Sequence, residues 1–310
     1  MKAPSKAALS RVCSLFVFAV DETSKSSFNR LRSGFKLLRV LDLEGTPINE
    51  LSDELVHLFN LRYLNLTRTQ VKELPKSLGK LYNLVFRYEM TQLRTLGVGN
   101  VKETDEKILC FAIAKMIHLR SLIVKSCSED GELKMDALES APPDLGRLAL
   151  AGKLEKVSHW FNSLDNLTRL YLHWCRLRDD FLPHIQALPN LGHLAMIHAY
   201  EGEQLCFLEG FQKLKVVTIV GFPQLKEIVI NKGVMHGLQE LDIVECQQFM
   251  TLPHGWESIS NLEEVYLSDI SPELMEKICR SKKMDRQTIR GIMLSRQGAE
   301  AEFKITRWFE

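Results

Sequence analysis

Between Leu38 and Leu84 the chain repeats itself. Leu38, Leu41 and Leu43 form an L-x-x-L-x-L hexamer, and 23 residues later Leu61, Leu64 and Leu66 form it again. The pattern returns with its first position at Leu93, Leu119, Leu145, Leu167, Leu191, Leu214, Leu238 and Leu262, at spacings of 22 to 26 residues. A related unit, Val12, Leu15 and Val17, lies 26 residues before Leu38. Apolar positions alternate within each hexamer, as in a strand with one buried face. One short strand cannot bury that face alone. Each copy needs the next stacked against it, so the chain must grow as an array rather than close into a globule.

A period in the twenties with this pattern is the signature of the leucine-rich repeat. The expected fold is an α/β leucine-rich-repeat solenoid, a curved horseshoe. It has a parallel sheet on the concave side and short helices, 3₁₀ turns and loops on the convex side. Residues 1–10 read as an N-terminal extension, 11–278 as the repeat domain, and 279–310, where the template stops, as a basic tail or cap. The stretch Thr104–Ile117 and the run Ser271-Pro272-Glu273-Leu274 predict helices. The Leu-Pro pairs at Leu74-Pro75, Leu188-Pro189 and Leu252-Pro253 predict irregular or 3₁₀ turns. One place breaks the rhythm. Leu84 is due to open a unit, yet Leu93 opens another only nine residues on, so a defect or join is expected near residues 85–92.

A formal net charge of +1 gives no general reason to expect nucleic acid or a membrane surface, so any electrostatic function must be local. No apolar run reaches the 18 or so residues of a membrane span. Lys2, Lys6 and Arg11 before Val12–Val20 also resemble a short secretory signal. A secreted binding protein is therefore the alternative to a first repeat strand, and the fit of Val12, Leu15 and Val17 to the template favours the strand. Sequons at Asn65 and Asn166 fall on or beside predicted strands. The seven cysteines form no close pairs, which points away from a disulfide framework and towards a reducing, cytoplasmic setting. Cys127, Cys175 and Cys246 share a slot three residues past their hexamers, filled by Thr46 and Thr69 in earlier repeats, and are expected to be buried and unreactive. No phosphate-binding loop, serine elbow, zincin motif or EF-hand is present, so neither catalysis nor a cofactor is expected.

The x positions of the template face outward. Arg39, Arg62, Arg94 and Arg120 share one of them, and Arg68, Lys125, Arg147 and Arg169 lie nearby, which makes a basic track. At the other end stand Glu240, Asp242, Glu245, Glu263, Glu264 and Asp269. Between the poles come Tyr171, His173, Trp174, His193 and His198, with Tyr200 just after. Such a face would orient a polar partner through its charges and anchor it through its rings. The alternative is that the charges are solvated repeat residues and the rings pack between repeats. A metal site from His173, Cys175, His193 and His198 matches no zinc spacing.

The stretch Arg32–Leu84, SLFVF at Ser14–Phe18, LPKSLGKL at Leu74–Leu81, HLRSLIV at His118–Val124, FPQLKEIVI at Phe222–Ile230 and the Thr/Cys slot together resemble a known family. It is the repeat region of plant nucleotide-binding leucine-rich-repeat disease-resistance proteins of the coiled-coil class, and the resemblance covers about Arg11 to Ile278. It implies a sensor that engages a pathogen effector or a guarded host protein and holds a nucleotide-binding switch domain closed. No phosphate-binding loop or switch region is present here, so the chain resembles the sensor half alone. The expectation is a non-enzymatic recognition module of plant defence. It would take a protein partner on its concave face: an effector, a host protein or a nucleotide-binding domain. The alternative is a truncated receptor fragment with little autonomous function.

Overall fold

A computed structural model describes residues 10–17, 35–51, 55, 57–71, 92–154, 156–178, 181–280 and 291–295, the last strand and residues 279–280 through their backbone alone. It divides into two compact units, Met1–Gly146 with Ser158–Ser163, and Arg147–Val157 with Leu164–Glu310.

In the first unit the hexamers become β1 (Ser14–Phe16), β2 (Val40–Asp42), β3 (Tyr63–Leu66), β4 (Thr95–Val101) and β5 (Ser121–Ser126), each parallel to the next. The driving force is burial of the template leucines: Leu38, Leu41, Leu61, Leu64, Leu93, Leu96, Leu119 and Leu122 are all essentially inaccessible. The apolar run at Val12 thus supplies a strand whose Leu15 stands opposite Leu41. β3 pairs directly with β4, Tyr63 opposite Thr95. The join itself, residues 85–91, lies outside the described residues, as does the Leu74-Pro75 turn.

Helix α1 (Glu103–Lys115) forms the return after β4. Glu103, Asp105 and Glu106 in its first turn and Lys115 in its last complement the helix dipole. Its inner face buries Leu109, Cys110, Ala112 and Ile113. Glu106 is buried as well, and its carboxylate accepts the Met135 N–H at 3.3 Å, which ties the next return to the helix. Desolvation raises that carboxyl above its ordinary range.

The second unit carries β6 (Arg147–Ala151), β7 (Arg169–His173), helix α2 (Leu182–Gln186), β8 (His193–Ile197), β9 (Gln204–Phe207), β10 (Val216–Val220), β11 (Glu227–Ile230), β12 (Glu240–Val244), β13 (Glu264–Ser268), helix α3 (Pro272–Arg280) and β14 (Gly291–Ser295). The seven strands β6, β7, β8, β10, β12, β13 and β14 pair in that order, all parallel. β9 and β11 pair with each other in a second small parallel sheet on the return side. Ser271 caps α3 as expected: its Oγ accepts the Leu274 N–H at 3.3 Å and donates to the Phe249 carbonyl at 2.6 Å. The Leu252-Pro253 return contains a 3₁₀ turn, Trp256–Ser258.

One recurrent hydrogen bond ties successive repeats, and a second closes the turn within a repeat. Asn60, Asn190 and Asn261, each just before a template leucine, donate from Nδ2 to the carbonyls of Lys36, Asp165 and His236, one repeat back, at 2.8, 2.7 and 3.0 Å. In the shared slot Thr46 and Thr69 donate to Leu43 and Leu66, and the buried Cys175 and Cys246 lie against the carbonyls of His173 and Val244.

Cys127 departs from the expectation and is exposed. β5 runs on through Ser126, beside a register shift in β4 between Val98 and Val101, and this longer ladder carries residue 127 past the inward turn. The C-terminal region also differs: β14 continues the sheet where a tail or cap is expected, with Gly291 opposite Glu264. In the sequence Ile289, Ile292 and Leu294 stand at template spacing, with isoleucine replacing leucine.

Candidate functional site

In the first unit Arg39, Arg62, Arg94 and Arg120 each stand immediately before a strand, and all four are exposed. Arg62 donates its backbone N–H to the Arg39 carbonyl, Arg94 to that of Arg62, and Arg120 to that of Arg94, each at 2.8 Å. The four thus occupy successive rungs of one ladder.

Beside them the structure assembles a polar cluster whose members all lie in or just after the hexamers. Tyr63 donates to Asp42 Oδ2 at 3.3 Å, Asn65 Nδ2 donates to Glu44 Oε2 at 3.0 Å, and Asn65 Oδ1 accepts from the Thr67 hydroxyl at 2.7 Å. Burial, and then Asp42, push the Tyr63 hydroxyl above its ordinary range. Arg68 pairs with Glu44 at 3.5 Å, so it belongs to this cluster rather than to a free basic track. Asn65 is only 7% exposed and its amide is engaged, so that sequon is closed to a glycan in the folded chain. Gly97 leaves room for this packing, since a Cβ there would lie 3.0 Å from Asn65 Oδ1.

In the second unit one column of the strand register reads Arg147, Arg169, His193, Val216, Glu240, Glu264 across six paired strands. Arg169 and Glu264 are exposed and the four between and beside them half-buried. The sign of charge reverses along a single line of side chains. The neighbouring column, Ala149, Tyr171, Ala195, Thr218, Asp242, Tyr266, is almost closed to solvent.

Two expected contact residues fall in that closed column. Tyr171 is 3% exposed because its ring lies between two alanines, Ala149 and Ala195, with the Arg147 guanidinium 5.2 Å from its centroid and the His193 ring at 5.4 Å. Asp242 is 6% exposed and accepts from Thr218 Oγ1 at 3.3 Å. Both support the face from within. Desolvation, with Arg169 and Arg147 nearby, pushes His193 down to about 4, so it is neutral at physiological pH.

At the strand ends the remaining rings form a stack. His173 lies over Trp174 with centroids 3.7 Å apart and faces His198 at 6.1 Å. His173 and Trp174 are half-buried and His198 is exposed. Trp174, His198 and Glu245 share one turn position with φ of 54°, 47° and 55°, where the backbone N–H of each closes onto the next strand. Gly221 holds the same position at φ 69°, and the His198 imidazole occupies the space its Cβ would need, 2.1 Å away. Side chains at this position leave the strand plane, which is how Trp174 and His198 come to meet His173.

Among the described residues no group of three or more His, Cys, Asp or Glu side chains converges to hold a metal ion. Burial pushes the thiols of Cys110, Cys175 and Cys246 up to about 12, which leaves them as packing groups rather than nucleophiles. No described helix is long and apolar enough to cross a membrane.

The family model for the leucine-rich repeat region matches residues 11–86 and 88–287. Disease resistance protein RPM1 of Arabidopsis thaliana is 37% identical over 203 residues, covering 66% of this chain and 22% of that protein. Probable disease resistance RPP8-like protein 4 and Disease resistance protein RPP8, also from Arabidopsis thaliana, are 27% and 26% identical over 197 residues, each covering 61% of this chain and 21% of its own length. The chain spans about a fifth of the length of these curated relatives. This chain therefore belongs to the leucine-rich-repeat region family, in the form found in plant disease-resistance proteins.

Proposed function

We propose that this chain is a non-enzymatic recognition module of plant defence that binds a protein partner on the strand face of its second unit. The partner is a pathogen effector, a guarded host protein or a partner domain. One observation carries the reading: the column from Arg147 to Glu264 reverses sign over six paired strands beside the ring stack of His173, Trp174 and His198. A line of charge that changes sign fixes the orientation of a partner, and accessible aromatic surface supplies desolvation energy once it has docked. Tyr171 acts beneath this surface by holding Arg147 and His193 in place. The names of the relatives support the setting in defence.

The test is a partner screen with the intact chain, followed by affinity measurement with H173A/W174A. Loss of both rings is expected to weaken binding at least about tenfold, the effect of one modest hot spot. A partner that binds the variant as tightly as the parent would place recognition elsewhere.

A further inference from the structure

We propose that Arg39, Arg62, Arg94 and Arg120 form a docking row for an acidic α-helix of a protein partner, one carboxylate-bearing turn to each arginine. This rests on the reading of the chain as a protein-recognition module, but it concerns the first unit alone.

The row is rigid at its base. The consecutive 2.8 Å backbone hydrogen bonds hold the four residues on neighbouring strands, and each strand begins at the next residue. Parallel strands lie about 4.8 Å apart, so the four Cα atoms span roughly 14 Å. All four side chains are exposed, and among the described residues none of them pairs with a carboxylate. The nearby acids are engaged: Asp42 accepts from the Glu44 N–H and the Tyr63 hydroxyl, and Glu44 accepts from Asn65 and pairs with Arg68. Four like charges at this spacing repel one another, and an anionic ligand of matching period relieves that repulsion.

The spacing selects the ligand. Acids placed one helical turn apart recur about every 5.4 Å, which over three intervals departs from the row by roughly 2 Å, within reach of flexible arginine side chains. An extended chain presents same-side acids about every 6.6 Å, and the mismatch over the row grows to more than 5 Å. The row is also one residue wide: the residues that follow each arginine are Val40, Tyr63, Thr95 and Ser121, all uncharged. A single line of guanidinium groups suits a single line of carboxylates, which each planar fork grips with two hydrogen bonds. A lipid surface or a nucleic acid calls for a broad basic patch, whereas these four guanidinium groups stand in single file, one to a strand.

The experiment uses the full chain and two labelled helical peptides of about four turns with identical composition. One carries its glutamates on one face at i, i+4, i+7 and i+11, which keeps the one-turn period; the other scatters them around the helix. A single-stranded oligonucleotide of equal charge is the third probe. Fluorescence anisotropy at physiological salt is expected to show the aligned peptide binding about tenfold tighter than either other probe. R39Q/R62Q/R94Q/R120Q is expected to weaken it at least about tenfold, and the corresponding four lysine substitutions to fall between. The single variants R62Q and R94Q, each weakening it about twofold, serve if the quadruple variant fails to fold. Equal binding of the two peptides, preference for the oligonucleotide, or glutamine variants that bind like the parent would each overturn the proposal. Those outcomes leave the second-unit face standing, because none of the four arginines belongs to it. An unaltered affinity in H173A/W174A would in turn leave the arginine row standing.

Discussion

In the first unit Asp42 and Glu44 are tied to Tyr63, Asn65 and Arg68, while four arginines in the adjacent column stand exposed on successive rungs. In the second unit acid and base share one column, separated by His193 and Val216, and the rings of His173, Trp174 and His198 gather at the strand ends. The same hexamer thus builds two kinds of surface. The position just before each strand keeps its side chain in water in both units wherever it is long and charged, as at Arg62 and Glu263. The position between the last two template residues is buried in every described hexamer from Asn65 to Tyr266. In the proposed reading function enters through these outward columns, and the leucines beneath them set the spacing.

The difference is sharpest for the two tyrosines. Tyr171→Ala removes a buried ring lodged between two alanines, and is expected to cost about 3 kcal/mol. Tyr63→Ala removes a half-exposed ring and is expected to cost less than half as much, roughly 1 kcal/mol. Urea unfolding of both variants reads the contrast, and equal losses would dissolve it.

The two glycines come next. Gly221→Ala forces a Cβ against the His198 ring at a left-handed φ of 69°, with an expected loss of about 2 kcal/mol. Gly97→Ala meets only an amide oxygen at 3.0 Å, for about 1 kcal/mol. If the order reverses, His198 does not occupy the space over Gly221 in solution.

One group in each unit is also expected to lose its contribution at an opposite end of the pH scale, a smaller effect. His193 has a folded pKa of about 4, below its ordinary 6.5, so the unfolded chain takes up the proton first. Its contribution is complete above 6.5 and is lost as pH falls towards 4. The Tyr63 hydroxyl is raised instead, so its contribution is complete below 10.0 and is lost as pH rises beyond it. Unfolding midpoints across pH should therefore show H193Q flattening the acid limb and Y63F the alkaline limb, each leaving the other unchanged. Smallest of all, Arg68→Ala removes an exposed ion pair and should move stability by no more than about 0.5 kcal/mol. A larger loss there would mean that the polar cluster acts as one unit.

Much of the fold was legible because leucine spacing reports directly on which side chains must sink. Reading for leucine alone passed over β14, where isoleucine fills two of the three template positions. The small β9–β11 sheet lies in returns that carry no template. The site was legible in outline only. Hexamer position told which side chains leave the core, as it did for Arg39 and Glu264. It did not tell that Tyr171 would be enclosed by Ala149 and Ala195, since those residues lie on other repeats, 22 and 24 positions away. Nor did it tell that Arg68 would turn to Glu44, 24 residues earlier, or that a lengthened β5 would leave Cys127 at the surface. Each of these depends on cross-strand neighbours, which the array brings together and linear order separates.

The central claim is that the second unit recognises a protein partner through its charge-reversing column. The most direct measurement is the dissociation constant of a partner recovered with the intact chain, compared between the parent and R169E/E264R across a range of salt. Both side chains are exposed, so the swap leaves the core untouched. The account predicts an affinity at least about tenfold weaker, with a difference that shrinks as salt screens the column. An affinity unchanged at every salt concentration would contradict it.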